Sequence, residues 1–186
     1  MGCGCGKKTG SSVYFMGKNG EVRADPEEWG PILWKLLHCL ANKIGDSGSS
    51  IIDTDQATYV EFVLITLPNI IPCKECQEHA RNYIAINNVP NLKGHYRGNL
   101  KQIVKQWLFT FHNTVRSLKG QEITVKTLEE YTKIYENCVI QQCEYNILTQ
   151  NIAYAIRQNW VKIDAWRKWY NFIERLRMLS GNFFAK

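Results

Sequence analysis

Cys73 and Cys76 stand two residues apart in the run Pro72-Cys73-Lys74-Glu75-Cys76-Gln77-Glu78-His79. On one helical turn, two thiols at this spacing close into a disulfide and open again, which suits redox exchange better than a permanent cross-link. Cys73 is expected to begin its helix, where backbone N–H groups favour a thiolate, and Lys74 acts in the same direction. Cys76 then lies one turn deeper. His79 and Tyr83 follow at intervals of three and four, so sulfur, imidazole and phenol share one helix face. Trp34, His38 and Ala41 make a second column, in which the small alanine leaves room for a flat ring. Leu108, His112 and Val115 make a third. Taken singly, each histidine or tryptophan reads as interhelical packing; taken in order, they read as the walls of a site.

Seven cysteines form three close pairs, Cys3/Cys5, Cys73/Cys76 and Cys138/Cys143, with Cys39 left over. Local pairs suit exchange or metal binding, whereas a stapled scaffold closes long loops. Cys39, beside His38, reads as a buried apolar thiol. A zinc site would draw on Cys73, Cys76, Cys138, Cys143 and a histidine. Cys138 and Cys143 have no histidine at ligand spacing, so no metal is expected. A thioredoxin-like reductase needs a βαβ context that the pattern lacks.

With 186 residues, 45% of them hydrophobic, the chain can bury one substantial core. No apolar run approaches the roughly 20 residues of a membrane span. Met1 to Gly10 hold no apolar signal region and there is no Asn-x-Ser/Thr acceptor, so entry into the secretory route is not expected. The net charge of +6 is concentrated in the tail, where seven basic and two acidic residues lie between Arg157 and Lys186. The region around the dithiol has no basic excess, which argues against a nucleic-acid partner.

Residues 1–24, rich in Gly, Ser, Lys and Asn, read as a mobile arm. Asp25-Pro26-Glu27-Glu28 starts a helix, with Asp as cap, Pro at the first position and acids in the first turn. Apolar residues at Trp29, Leu33, Leu36, Leu37 and Leu40 continue it to about Gly45. Further helices are expected from about Asp53 to Leu67, Cys73 to Ile86, Asn99 to Leu118 and, shorter, Thr127 to Asn137. Beyond them Trp160, Ile163, Trp166, Tyr170 and Ile173 form a stripe with Arg and Lys between, the mark of an amphipathic helix. The fold class is therefore all-α: a four-helix bundle plus a short fifth helix, with a C-terminal helical extension. The division is 1–24 arm, 25–144 catalytic domain, 145–186 extension. The stripe is expected to pack on the bundle or across a homodimer, the alternative being an anionic membrane or acidic partner.

Trp29-Gly30-Pro31, Trp34, Leu37-His38, the Cys73–Cys76 motif, Trp107 and Phe111-His112-Asn113-Thr114-Val115 resemble, in order, the signature of the FAD-linked sulfhydryl oxidases of the Erv/ALR family, the short viral members most of all. The resemblance covers about Asp25 to Asn137 and implies the same helical bundle with FAD between its helices. It implies flavin contacts from Gly30, Pro31, Trp34, His38, Cys76, His79, Tyr83, His112, Asn113 and Val115, with Tyr131 near the adenine. It also implies that Cys73 exchanges with reduced protein thiol clients and Cys76 faces the flavin, which hands two electrons to O₂ and yields hydrogen peroxide. A homodimer is expected. Arg116 stands where the family pattern has Asn, and Arg116 and Lys119 have the charge to serve a pyrophosphate. The family's long-range disulfide near the adenine has no counterpart near Phe109, so packing is expected to hold that region. Cys3/Cys5 and Cys138/Cys143 resemble shuttle pairs on mobile arms; acylation at Met1-Gly2-Cys3 competes for the first, Gly6 standing where the pattern wants Ser or Thr. A viral member would work in the cytoplasm of an infected cell or in the virion, and the mitochondrial intermembrane space is the alternative. The rival reading is a helical interaction module, zinc-stabilised or apo, without chemistry.

Overall fold

A computed structural model describes residues 15–16, 22–181 and 183–184 of the chain; Cys3 and Cys5 lie outside the described residues. It is all-α apart from a two-residue antiparallel ladder, β1 (Phe15–Met16) with β2 (Val22–Arg23), inside the segment read as an arm. The helices are α1 (Pro26–Lys43), α2 (Ser50–Thr66), α3 (Lys74–Ile86), α4 (Arg97–Leu118), α5 (Leu128–Tyr135), α6 (Gln142–Arg157) and α7 (Ile163–Leu179), with a 3₁₀ turn at Leu67–Asn69.

Local chemistry sets the helix starts. Asp25 caps α1, its carboxylate accepting from the Glu27 N–H at 2.9 Å, with Pro26 supplying no N–H where none is needed. Thr127 and Glu130 cap α5 reciprocally. Gln141 and Glu144 do the same for α6, and Glu144 also pairs with Lys35 of α1 at 2.7 Å.

α1 is the central helix, packed against α4, α5 and α6. Leu36, Leu37, Cys39, Leu40 and Ala41 are all buried along it, which leaves it almost no solvent face. α2 packs against α4 and, more extensively, α7. Trp169 anchors the latter contact: it is 1% exposed, and its indole N–H donates to the Val63 carbonyl at 3.1 Å. Phe172 lies against Phe62 and Tyr59, with ring centroids 4.1 and 5.3 Å away. The Gln56 amide closes the far end, accepting from the Gly45 N–H and donating to the Leu179 carbonyl and Ser180 hydroxyl.

Two details of the extension differ from the expectation. The extension is two helices, α6 and α7, and the expected boundary at residue 144/145 falls inside α6. Trp160 lies in the turn before α7, whose buried seam is Trp169, Ile173 and Leu176, with Trp166 and Tyr170 half-buried at its edges. The tail returns to the bundle, where the Ile140 N–H donates to the Phe183 carbonyl and Phe183 is fully buried. None of the described helices is long and apolar enough to cross a membrane.

Candidate functional site

The 3₁₀ turn and the buried pair Ile70-Ile71 deliver the chain to Cys73, the N-cap of α3. Its sulfur accepts from the Cys76 N–H at 3.2 Å. Cys73 and Cys76 are joined as a disulfide, with Cα atoms 5.2 Å apart. Both are half-buried, while Lys74 and Glu75 beside them are exposed. The sulfur at the helix start sits among N–H groups that stabilise a thiolate.

A slot opens between α1, α3 and α4 on the inner side of this disulfide. Gly30 and Trp34 of α1, Cys76 and His79 of α3, Val115 of α4 and Lys119 beyond it all line the slot. Trp29, Leu33, Ala80 and Phe111 line it too, although their spacing reads as ordinary core. At Gly30 an added Cβ would meet nothing within 4 Å, so the missing side chain leaves open space.

Trp34 links the slot to a stack of rings. Its indole lies flat on His112, with centroids 4.3 Å apart and planes 5° from parallel. His112 Nδ1 and His38 Nε2 share a hydrogen bond at 3.0 Å. Beyond His38 stand Tyr131, edge-on at 4.4 Å, and Tyr135 at 4.5 Å. Burial, and secondarily its neighbour His112, holds the His38 pKa well below the usual 6.5. Burial, helped by the Arg116 charge, lowers His112 to about 4. Both imidazoles are therefore neutral at pH 7, and one proton lies between them.

Other expected contacts sit elsewhere. Tyr83 stacks on Phe111 at 4.3 Å, behind the slot wall. Pro31 lines a separate cavity with Lys35, Lys133, Ile134, Tyr135, Asn137 and Cys138. The Asn113 amide donates to the Val125 carbonyl at 3.2 Å, and Arg116 Nε donates to the Glu122 carbonyl at 2.9 Å. These two side chains hold the 119–126 loop, so the Arg116 guanidinium is already engaged by the protein.

The cysteine pairing departs from the expectation. Cys138 is bonded to Cys39, 99 residues away, so Cys138 and Cys143 are not a local pair and Cys39 is not a lone thiol. A long-range disulfide therefore ties α1 to the segment after α5. No sequence signal marks a partner at that distance. Among the described residues, no cluster of three or more His, Cys, Asp or Glu is placed to hold a metal ion.

Residues 31–136 match the family model described as the Erv1 / Alr family. The protein named "Putative FAD-linked sulfhydryl oxidase 096R" of Invertebrate iridescent virus 3 is 28% identical over 111 residues, covering 56% of this chain and 65% of its own length. "Putative FAD-linked sulfhydryl oxidase 347L" of Invertebrate iridescent virus 6 is 28% identical over 103 residues, 53% of this chain and 86% of that protein. "FAD-linked sulfhydryl oxidase ERV1" of Oryza sativa subsp. japonica is 28% identical over 97 residues, 52% and 44% respectively. The chain thus spans less than two thirds of the first and third of these relatives. No solved structure matches the chain.

Proposed function

Because the chain belongs to the Erv1/Alr family, we propose that it is an FAD-dependent thiol oxidase that introduces disulfides into client proteins. The observation that carries this reading is the placement of Cys76: bonded to Cys73 at the helix start on one side, it forms part of the wall of an aromatic slot on the other. The residues present fit a flavin. Three buried polar atoms, Trp29 Nε1, His38 Nδ1 and Tyr131 Oη, have no protein partner. Each such atom costs about 1–3 kcal/mol unless a ligand or water bonds it. Gly30, Trp34, Cys76, His79 and Val115 would hold the ring system, with His38, His112 and Tyr131 beyond Trp34. Lys119 lines the slot and has the charge to serve the pyrophosphate, while Arg116 gives Nε and Nη2 to the Glu122 carbonyl and keeps its charge. When bound, FAD supplies a two-electron acceptor that O₂ reoxidises, giving hydrogen peroxide.

The chain's own part is thiol–disulfide exchange. A client thiolate attacks the Cys73 sulfur, forming a mixed disulfide and releasing Cys76 as a thiolate in the slot wall. A second client thiolate attacks the client sulfur of that mixed disulfide. The client leaves oxidised, and Cys73 and Cys76 are left reduced, holding two electrons. Backbone N–H groups at the start of α3 stabilise the Cys73 leaving thiolate. The neutral histidine pair puts no positive charge into the stack and keeps its shared proton away from bulk water.

Cys138 is engaged with Cys39, which leaves Cys3, Cys5 and Cys143 as the shuttle candidates. The viral relatives support work in the cytoplasm of an infected cell, where host thiols are kept reduced and a dedicated oxidant is needed. The intermembrane space is the other location. The test is direct: protein purified as the full chain should be yellow, release FAD on denaturation, and consume O₂ with peroxide formation when given dithiothreitol. A protein that stays colourless with added FAD overturns the reading and leaves a helical interaction module in its place.

A further inference from the structure

Gln77, next to Cys76, is 5% exposed and has every polar atom of its amide engaged. One N–H donates to the Ile71 carbonyl at 2.8 Å, at the head of the dithiol, and the other to the Trp160 carbonyl at 2.9 Å. Its oxygen accepts from Arg81 Nη2 at 3.1 Å. Its backbone N–H meanwhile closes the first turn of α3 onto the Cys73 carbonyl at 2.8 Å. Trp160 lies outside the family-matched residues 31–136, in the tight turn joining α6 to α7. That turn is itself fixed: Asn159 takes a left-handed conformation at φ 56°, and the Trp160 N–H returns to the Ala155 carbonyl at 2.9 Å. Only an amide offers two donors and an acceptor in this geometry. Leucine keeps the bulk without any of the bonds, and glutamate keeps the acceptor without the donors.

We propose that Gln77 is a positioning residue through which the C-terminal extension fixes the redox helix, holding the first turn of α3 and its dithiol in register with the slot. The proposal rests on the thiol oxidase reading. Without the Gln77 bonds, the Ile71–Cys73 approach and the 158–161 turn are released together. The N–H groups that stabilise the Cys73 thiolate then lose their fixed aim. Losing thiolate stabilisation disfavours the reduced form, so the disulfide becomes a weaker oxidant.

Gln77→Leu and Gln77→Glu in the full chain test this, beside Arg81→Ala, which removes the contact to the amide oxygen together with the exposed Arg81–Glu78 pair and leaves both Gln77 N–H bonds in place. In a fixed glutathione buffer, alkylation and mass spectrometry should find the oxidised-to-reduced ratio of Cys73/Cys76 raised at least threefold in both Gln77 variants, and less in Arg81→Ala. Hydrogen exchange should quicken together in 71–77 and in 158–162. Flavin reduction by dithiothreitol in stopped flow should slow at least tenfold, with FAD content and KM unchanged. Folded variants with the wild-type ratio and wild-type flavin reduction overturn the proposal, even if their thermal stability falls. If the unaltered protein binds no FAD, the functional reading fails, while the glutathione ratio and the exchange data still decide the role of Gln77. Should Gln77→Leu not fold, Gln77→Glu and Arg81→Ala decide it by the same measurements.

Discussion

In the C-terminal extension the buried polar side chains have partners, whereas three in α1 and α5 have none. Trp169 of α7 donates to Val63, and Asn151 of α6 accepts from the Asp25 N–H and donates to Ile147. Trp29 Nε1, His38 Nδ1 and Tyr131 Oη, among the described residues, are buried with nothing of the protein to bond. All three sit in or beside the slot and its ring stack. Packing between elements of one chain is finished when the chain folds, so its polar atoms are paired within it. A wall built for a ligand keeps donors and acceptors in reserve, at a cost in stability that the ligand returns. The contrast separates the surface that holds the fold from the surface that holds the chemistry.

The largest effect should come from the chemical side. Cys76→Ser should lower dithiothreitol oxidation by at least about a thousandfold, in line with loss of a covalent nucleophile, while the protein keeps its flavin absorbance. Oxidase turnover near the wild-type rate would end the assignment of Cys76. On the packing side, Trp169→Ala should cost about 3–5 kcal/mol in urea denaturation, with FAD content per folded molecule unchanged. Equal loss of FAD and of stability would erase the division between the two surfaces.

The histidine pair gives a smaller, pH-dependent effect. His112 binds its proton near pH 4 in the fold, and His38 also titrates well below 6.5. The unfolded chain, with histidines near 6.5, therefore takes up protons first as pH falls. Stability of the flavin-free protein should be constant above about pH 7 and decline below 6.5, by up to about 1.4 kcal/mol per pH unit for each imidazole. His112→Asn should flatten that slope, and an unchanged slope would place the proton uptake elsewhere. The subtlest case is Gly30→Ala. In mid-helix it should leave the apoprotein as stable or up to about 1 kcal/mol more stable, yet weaken FAD binding, because the new methyl takes space in the slot. Tighter FAD binding in titration would show that the space at Gly30 is not used.

Much of this was legible beforehand for identifiable reasons. Asp25-Pro26 and Thr127-x-x-Glu130 announce helix starts through backbone chemistry that acts within a few residues, and both caps form. The slot residues Gly30, Trp34, Cys76, His79 and Val115 come together because helical spacing decides which side chains share a face. What escaped depends on distance or on weak local marks. α6 begins at Gln141, an unusual cap residue, and its buried positions Leu148, Asn151, Ile152 and Ala155 include a polar one. Tyr83 has the spacing of a slot residue but is drawn behind the wall by Phe111. The Arg116 contact escaped because the carbonyl it meets, on Glu122, belongs to a loop whose path the sequence does not fix.

The Cys39–Cys138 bond has a consequence for how the molecule comes into being. Its sulfurs belong to residues 0% and 9% exposed, and it closes a loop that contains the whole redox helix. With the core closed, Cys39 is sealed and Cys138 meets only the cavity beside Pro31, so exchange at this bond is much slower than at the half-buried dithiol. The dithiol at Cys73 and Cys76 answers to conditions from one turnover to the next. The buried bond instead keeps a memory of the conditions at the time of folding.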